Sequence, residues 1–256
     1  MNGAFEVGAV SLRAQQRALD TIANNIANVN TPSFKRSDIR FSEVIANQSS
    51  PLAPDAMLVL DAPSSGGVRM SPREMLLTQG ELRTTGGKLD LAIDGAGYLE
   101  LMGPAGQTFL WRGGTLKVND DGMLAAENGL PLRAAITIPD DASNLQISPD
   151  GLVRADVAGS GTIELGQISI VKFDNEAAVE RLDSGLFKAG EDMRLIEMRP
   201  GEDGAGLIIQ GSIENSNVEL TSEMIELLMV QRAYAASAQI VQAADQMAGL
   251  VNNLKR

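Results

Sequence analysis

The chain has 256 residues, is 44% hydrophobic but only 4% aromatic, and carries a formal net charge of −12. It contains neither cysteine nor histidine, which removes thiol nucleophiles, disulfides, histidine-based triads and zinc sites built on those ligands. The acidic balance offers no basic face to a phosphate backbone or an anionic bilayer, so it argues against nucleic acid and membrane surfaces as partners.

Residues 1–30 read as an amphipathic helix. Phe5, Leu12, Leu19 and Ile26 recur every seven residues, and Gly8, Gln15, Ile22 and Val29 form a second, half-apolar seam. Thr31-Pro32 ends the helix, because proline disfavours the α region for the residue before it. At 1.5 Å per residue the helix spans roughly 35 Å. No apolar run reaches the ~20 residues that a membrane helix needs. The first residues also lack the basic and continuous apolar regions of a secretory signal, so neither a span nor a cleaved signal is expected.

Residues 31–87 read as an extended linker or stiffening segment. Phe34 to Ile45 is expected to form an extended arm ending in a short helical turn. Loop compositions follow at Gln48–Pro51, Asp61–Gly67 and Gly86-Gly87. Ser71-Pro72-Arg73-Glu74 carries a capping-box pattern and predicts another brief helical turn. Met57-Leu58-Val59-Leu60 is an isolated apolar patch, too short to form a core by itself.

Residues 88–217 read as a β-rich domain. Leu89, Leu91 and Ile93 alternate with Lys88, Asp90 and Asp94. Two hairpins of one type are expected, turning at Asp121-Gly122 and at Asp150-Gly151. Ile163, Leu165, Ile168, Ile170 and Phe173 predict a further strand pair, and Leu207–Ile209 with Ser212-Ile213 close the sheet. The last helix runs from about Val218 to Leu254, roughly 55 Å. Leu220, Leu227, Tyr234, Val241 and Ala248 mark one seam; Met224, Gln231, Ala238 and Asp245 mark the other. Two readings of the ends stay open on periodicity: a helix hairpin within one core, or helices that meet neighbouring copies.

The candidate chemistry is thin. A calcium loop with Gly122 or Gly151 at its sixth position would need an acidic residue at its first, where Lys117 and Gln146 stand, so the turn reading prevails. Gly95-Ala96-Gly97 and Gly201–Gly206 match no phosphate-binding fingerprint. No pair of carboxylates is singled out for glycosidase work, and Trp111 reads as an ordinary strand residue rather than a ligand-stacking one. Asn47-Gln48-Ser49 fits a glycosylation sequon of the kind that arises by chance. No catalytic residue, cofactor site or metal site is expected.

Both ends resemble the flagellar basal-body rod and hook protein family. The N-terminal signature is Leu12, Gln15-Gln16 and Leu19-Asp20-Thr21-Ile22-Ala23-Asn24-Asn25-Ile26-Ala27-Asn28-Val29-Asn30-Thr31-Pro32-Ser33-Phe34-Lys35-Arg36. The C-terminal one is Ser216-Asn217-Val218-Glu219-Leu220, Glu223-Met224, Gln231-Arg232-Ala233-Tyr234 and Ala244-Asp245-Gln246-Met247. Asp90–Tyr98 and Ala135–Pro139 extend the resemblance through the middle, and it is weakest at about 42–85. In length and middle segment the chain resembles members from the distal rod more than the F-type members of the proximal rod or the longer hook proteins. Two departures stand out: Ser33 where the family usually has glycine, so that the turn is expected to differ, and Ala235-Ala236 after the tyrosine.

The resemblance implies an α+β structural subunit with no enzymatic activity and no cofactor. Its long N- and C-terminal helices (1–30 and 218–256) would pack together in the assembly as an inner tube, with a β-rich outer layer (88–217) and the segment 31–87 setting stiffness. Marginal helices would stay disordered in the monomer and order on joining the polymer. The implied partners are further copies of the chain in a helical rod, other rod and hook proteins, the surrounding rings and the flagellar type III export apparatus. The implied location is the periplasmic rod of the basal body, reached without a cleaved signal. The residues expected at the assembly interface are Leu12, Gln15, Leu19, Ile22, Asn24, Asn25, Ile26, Asn28, Phe34, Met57, Leu60, Leu220, Met224, Leu227, Gln231, Tyr234 and Val241.

Overall fold

The computed structural model of the chain describes residues 2–45, 65–76, 78–173, 179–182, 185–190 and 193–254. It is mixed α+β, with a helix at each end and strands between them. Two compact units are present. One comprises Met1–Ala27, Ser37–Arg73 and Glu219–Arg256; the other comprises Asn28–Arg36 and Glu74–Val218.

The first unit is built on α1 (Asn2–Ala27) and α2 (Leu220–Leu254). They run antiparallel: Gly8 lies against Val241, Gln15 bonds Ser237 and Asn25 bonds Glu223. The line that α1 buries is Ala14, Ala18, Ile22 and Asn25. Leu12, Leu19 and Ile26, the seven-residue seam, flank it half-buried. A straight helix has 3.6 residues per turn, so steps of four and three track one face better than a strict seven does. The small alanines also let the backbones approach. On α2 the half-buried line is Leu227, Val230, Ser237, Ala238, Val241 and Ala244, with Glu223 buried. Of the expected second seam, Met224, Gln231 and Asp245 are exposed and only Ala238 is half-buried.

The same unit holds β1 (Ser37–Ile45) and β2 (Ser65–Glu74), paired in a two-stranded sheet. Both helical turns expected here are therefore strand. Alternating Ile39 and Phe41 favour a pleated surface. Four capping-box residues cannot offset the cost of nucleating a helix, and Ser71 is held extended by the proline that follows it. The expected patch Met57–Leu60 lies outside the described residues.

The second unit is a set of short antiparallel strands. β3 (Leu82–Thr84) and β4 (Asp90–Asp94) precede β5 (Leu99–Met102), β6 (Thr108–Trp111), β7 (Gly113–Val118) and β8 (Leu124–Ala126). Then come β9 (Ala142–Ile147), β10 (Leu152–Val157), β11 (Gly161–Gln167), β12 (Ile170–Phe173), β13 (Val179–Arg181), β14 (Leu186–Ala189), β15 (Leu195–Met198), β16 (Leu207–Gln210) and β17 (Ser212–Glu214). The sheet orders are β13-β14-β6-β5, β16-β4-β7-β8 and β11-β10-β9, with pairs β12-β15 and β17-β3. Inward residues such as Leu91, Ile93, Leu99, Leu116, Leu124, Val153, Ile170 and Ile208 form an aliphatic core, as the low aromatic content requires.

Both expected hairpins are present. β7 turns into β8 through Asn119, whose Oδ1 accepts the backbone N–H of Asp121 and Met123. β9 turns into β10 through Ser148–Gly151. Gly151 has φ +86°, and a Cβ there would stand 2.3 Å from the Ile168 carbonyl oxygen, so only glycine fits. Ile163 and Leu165 do not pair with Ile170 and Phe173. β11 joins β10 and β12 joins β15, because Ile168-Ser169 between them provides no chain reversal. Leu207–Gln210 adds to β4, while Ser212–Glu214 pairs with β3.

Candidate assembly site

In the helical unit one polar cluster fixes how the two helices meet. Asn25 is buried on α1. Its Nδ2 donates to the Ser37 carbonyl (2.9 Å) and to Glu223 Oε2 (3.1 Å), and its Oδ1 accepts the Ser37 N–H (3.0 Å). Glu223, in the first turn of α2, is fully buried. Any shift of register would strand these groups without partners, at a cost of about 1–3 kcal/mol each. Gln15 Nε2 makes a second cross-helix bond, 3.0 Å to Ser237 Oγ.

A second cluster lies within the β unit. Glu214, fully buried, accepts Lys35 Nζ at 2.6 Å and the Gly80 N–H at 2.8 Å on Oε1, and Arg112 Nε at 2.7 Å on Oε2. Arg112 also donates to the carbonyls of Gly95 and Gly97, and its guanidinium lies 5.7 Å from the Tyr98 ring centroid. Burial pushes the Lys35 ammonium below its usual range, against the opposing attraction of Glu214. Asn217 completes the clasp: its Nδ2 reaches the Met75 and Thr78 carbonyls, and its Oδ1 accepts the Arg36 N–H at 2.6 Å. Phe34 is buried beneath the Arg181 guanidinium, 3.7 Å from the ring centroid.

Ser33 is buried with φ +57°. The expected change of turn does not occur: serine takes the left-handed conformation itself. Its Oγ donates to the Gly113 carbonyl at 3.2 Å and its N–H to the Glu214 carbonyl at 2.8 Å, which offsets the strain. Trp111 is a core residue of β6, as expected of a strand residue.

The open surface of the helical unit is the rest of α2. Leu220, Met224, Ile225, Leu228, Met229, Ile240, Met247 and Leu250 are between 40% and 67% exposed. Only Glu223, Glu226, Arg232 and Asp245 are charged in the 35 residues of this helix. A helix that is apolar all round is normally covered on every side. The helical unit holds 8 basic and 10 acidic residues and the β unit 13 and 23, nets of −2 and −10. Most of the net negative charge is therefore carried by the β unit.

Of the residues expected at the interface, Ile22, Asn25 and Phe34 are buried inside their own units. Leu12, Gln15, Leu19, Ile26, Asn28, Leu227 and Val241 are half-buried, whereas Asn24, Leu220, Met224, Gln231 and Tyr234 are exposed. Met57 and Leu60 lie outside the described residues. The sequence reading did not single out Lys35, Arg112, Glu214, Asn217 and Glu223. Lys35 and Asn217 stand within the terminal signatures. Arg112 and Glu214 carry no local signal, since their contacts span about a hundred residues or more.

A pair of terminal helices with large apolar side chains left exposed, in a chain that also holds an acidic β unit, is the pattern of a subunit of an assembly. The family described as "Flagella basal body rod protein" matches residues 5–35, "Flagellar hook protein FlgE/F/G D1 domain" residues 92–155, and "Flagellar basal body rod FlgEFG protein C-terminal" residues 209–254. The chain is 34% identical to the flagellar basal-body rod protein FlgG of Caulobacter vibrioides over 98% of its own length and 99% of the relative's. It is 32% identical to FlgG of Borreliella burgdorferi over the whole of both chains, and 29% identical to the rod protein FlgF of Caulobacter vibrioides over 94% and 93%. The chain belongs to the flagellar basal-body rod protein family, as a structural rod subunit of the G type.

Proposed function

We propose that the subunit polymerises with copies of itself into the distal rod, the shaft that carries torque from motor to hook. The single observation that supports this most is the uncovered face of α2. Eight large apolar side chains there remain 40–67% exposed, and with only four charges in its 35 residues this helix offers little repulsion to a different patch on the next copy. Head-to-tail repetition of one such contact yields a helical, non-closing polymer. The helices would form its dense inner layer and the acidic β units its outer one, with the chain exported through the type III apparatus and assembled in the periplasm. Other rod and hook components would flank the polymer at its two ends. Interiors packed at native density transmit strain with little compliance, as a drive shaft requires.

The test is a pair of charges on the open face. Leu228→Asp with Ile240→Asp should leave the purified chain folded and abolish rod completion and motility in cells. Rods of normal length and number in the double variant would overturn the reading.

A further inference from the structure

With no cysteine in the chain, its thioether sulfurs belong to methionine alone. Three of them lie on α2: Met224, Met229 and Met247 are 49%, 60% and 61% exposed, interleaved with Leu228 and Ile240 on the uncovered side. Among the described residues the other oxidisable side chains are less exposed: Met102 and Tyr234 are each 38% exposed. Trp111 and Tyr98 are buried, and Met75, Met123 and Met198 are half-buried. Among the described sulfurs, those of α2 are therefore the most open to a small peroxide.

Oxidation converts a pliable apolar side chain into a polar, chiral sulfoxide. On a face that must become dry, the new oxygen is an acceptor with no donor opposite it. We propose that Met224, Met229 and Met247 are a peroxide-sensitive modification site that switches the α2 face out of its assembly-competent form. The oxidant is hydrogen peroxide or a small hydroperoxide. Its O–O bond breaks, one oxygen bonds to the methionine sulfur, the sulfur loses two electrons, and water leaves from hydrogen peroxide or the corresponding alcohol from a hydroperoxide. Sulfoxide reductases reverse the step, so the block is temporary. Free subunits are sensitive, while finished rods, in which the same sulfurs are covered, are resistant. This inference rests on the reading of α2 as the contact between copies.

The experiment uses the purified full-length chain and hydrogen peroxide, with peptide mass spectrometry for the site and sedimentation with electron microscopy for polymer. Met224, Met229 and Met247 are expected to gain oxygen before Met75, Met123 and Met198. Polymer yield should fall about tenfold and return after treatment with both methionine sulfoxide reductases. Whatever polymer yield the variant carrying Met224→Leu, Met229→Leu and Met247→Leu reaches untreated, peroxide should leave that yield unchanged. Single leucine variants give proportionate protection where the triple one does not fold. Oxidised native chain that polymerises at full yield would overturn the inference while leaving the assembly reading intact, as would equal peroxide sensitivity in the leucine variants. Failure of the untreated native chain to polymerise would instead strike at the assembly reading, and the inference would fall with it.

Discussion

Glu214 balances two buried cations with one carboxylate, so the cluster carries an excess positive charge. Its two cations are consequently unequal. Lys35→Met should cost little, because Arg112 still neutralises Glu214 and Asn217 still donates to the Thr78 carbonyl. Glu214→Gln leaves both cations buried without a counter-ion and should cost about 3–5 kcal/mol. Urea denaturation of both variants measures the difference, and equal losses would contradict this charge balance. Ser33 offers a finer comparison. Ser33→Ala keeps the left-handed φ and loses the bond to Gly113, whereas Ser33→Gly loses the bond but relieves the strain. The glycine variant should be the more stable by about 1 kcal/mol. Glu100 adds a pH test. Burial raises its folded pKa, against the opposing pull of Arg133 at 3.3 Å. The native state then holds the proton more tightly than the unfolded chain, so this contribution to stability falls as pH rises through the window just above the ordinary glutamate range. Glu100→Gln should remove that part of the pH dependence, gaining on the native protein as pH rises above the ordinary glutamate range.

The elements differ in how openly their sequence declares them. The terminal helices and the two Asp-Gly hairpins follow from local periodicity and turn chemistry. The β1–β2 pair does not, because a capping-box pattern and a short apolar arm are weak local signals that long-range pairing overrides. The contact face of α2 was half legible. Leu227 and Val241 lie on the line turned toward α1, but apolar residues surround this helix, and a pattern that is apolar all round cannot say which side meets which partner. Packing chose the line opposite the small residues of α1. Gly8 shows why: a Cβ there would stand 2.5 Å from Val241 Cγ2. Gly8→Ala should loosen the N-terminal half of α1, seen as faster amide exchange, although alanine is the better helix former by about 1 kcal/mol. Adding Val241→Ala should restore protection. The half-buried Leu227 and the exposed Leu228 separate two effects: Leu227→Asp should disturb the helix pair itself, and Leu228→Asp only the association of copies.

At the scale of the whole molecule, the division of labour follows from where charge and apolar surface lie. The β unit encloses its own aliphatic core and carries most of the negative charge. The helical unit is nearly neutral and leaves large apolar side chains of α2 exposed, which is what the proposed contact between copies would cover. The family was legible from the terminal signatures. The Glu214 cluster was not, because its members become neighbours only once segments far apart in sequence have folded together. The most direct measurement is electron cryomicroscopy of the assembled rod at side-chain resolution. The account predicts Met224, Leu228, Met229, Ile240 and Met247 buried against helices of adjacent copies. Finding these side chains exposed along a solvent-filled surface of the finished rod would contradict it.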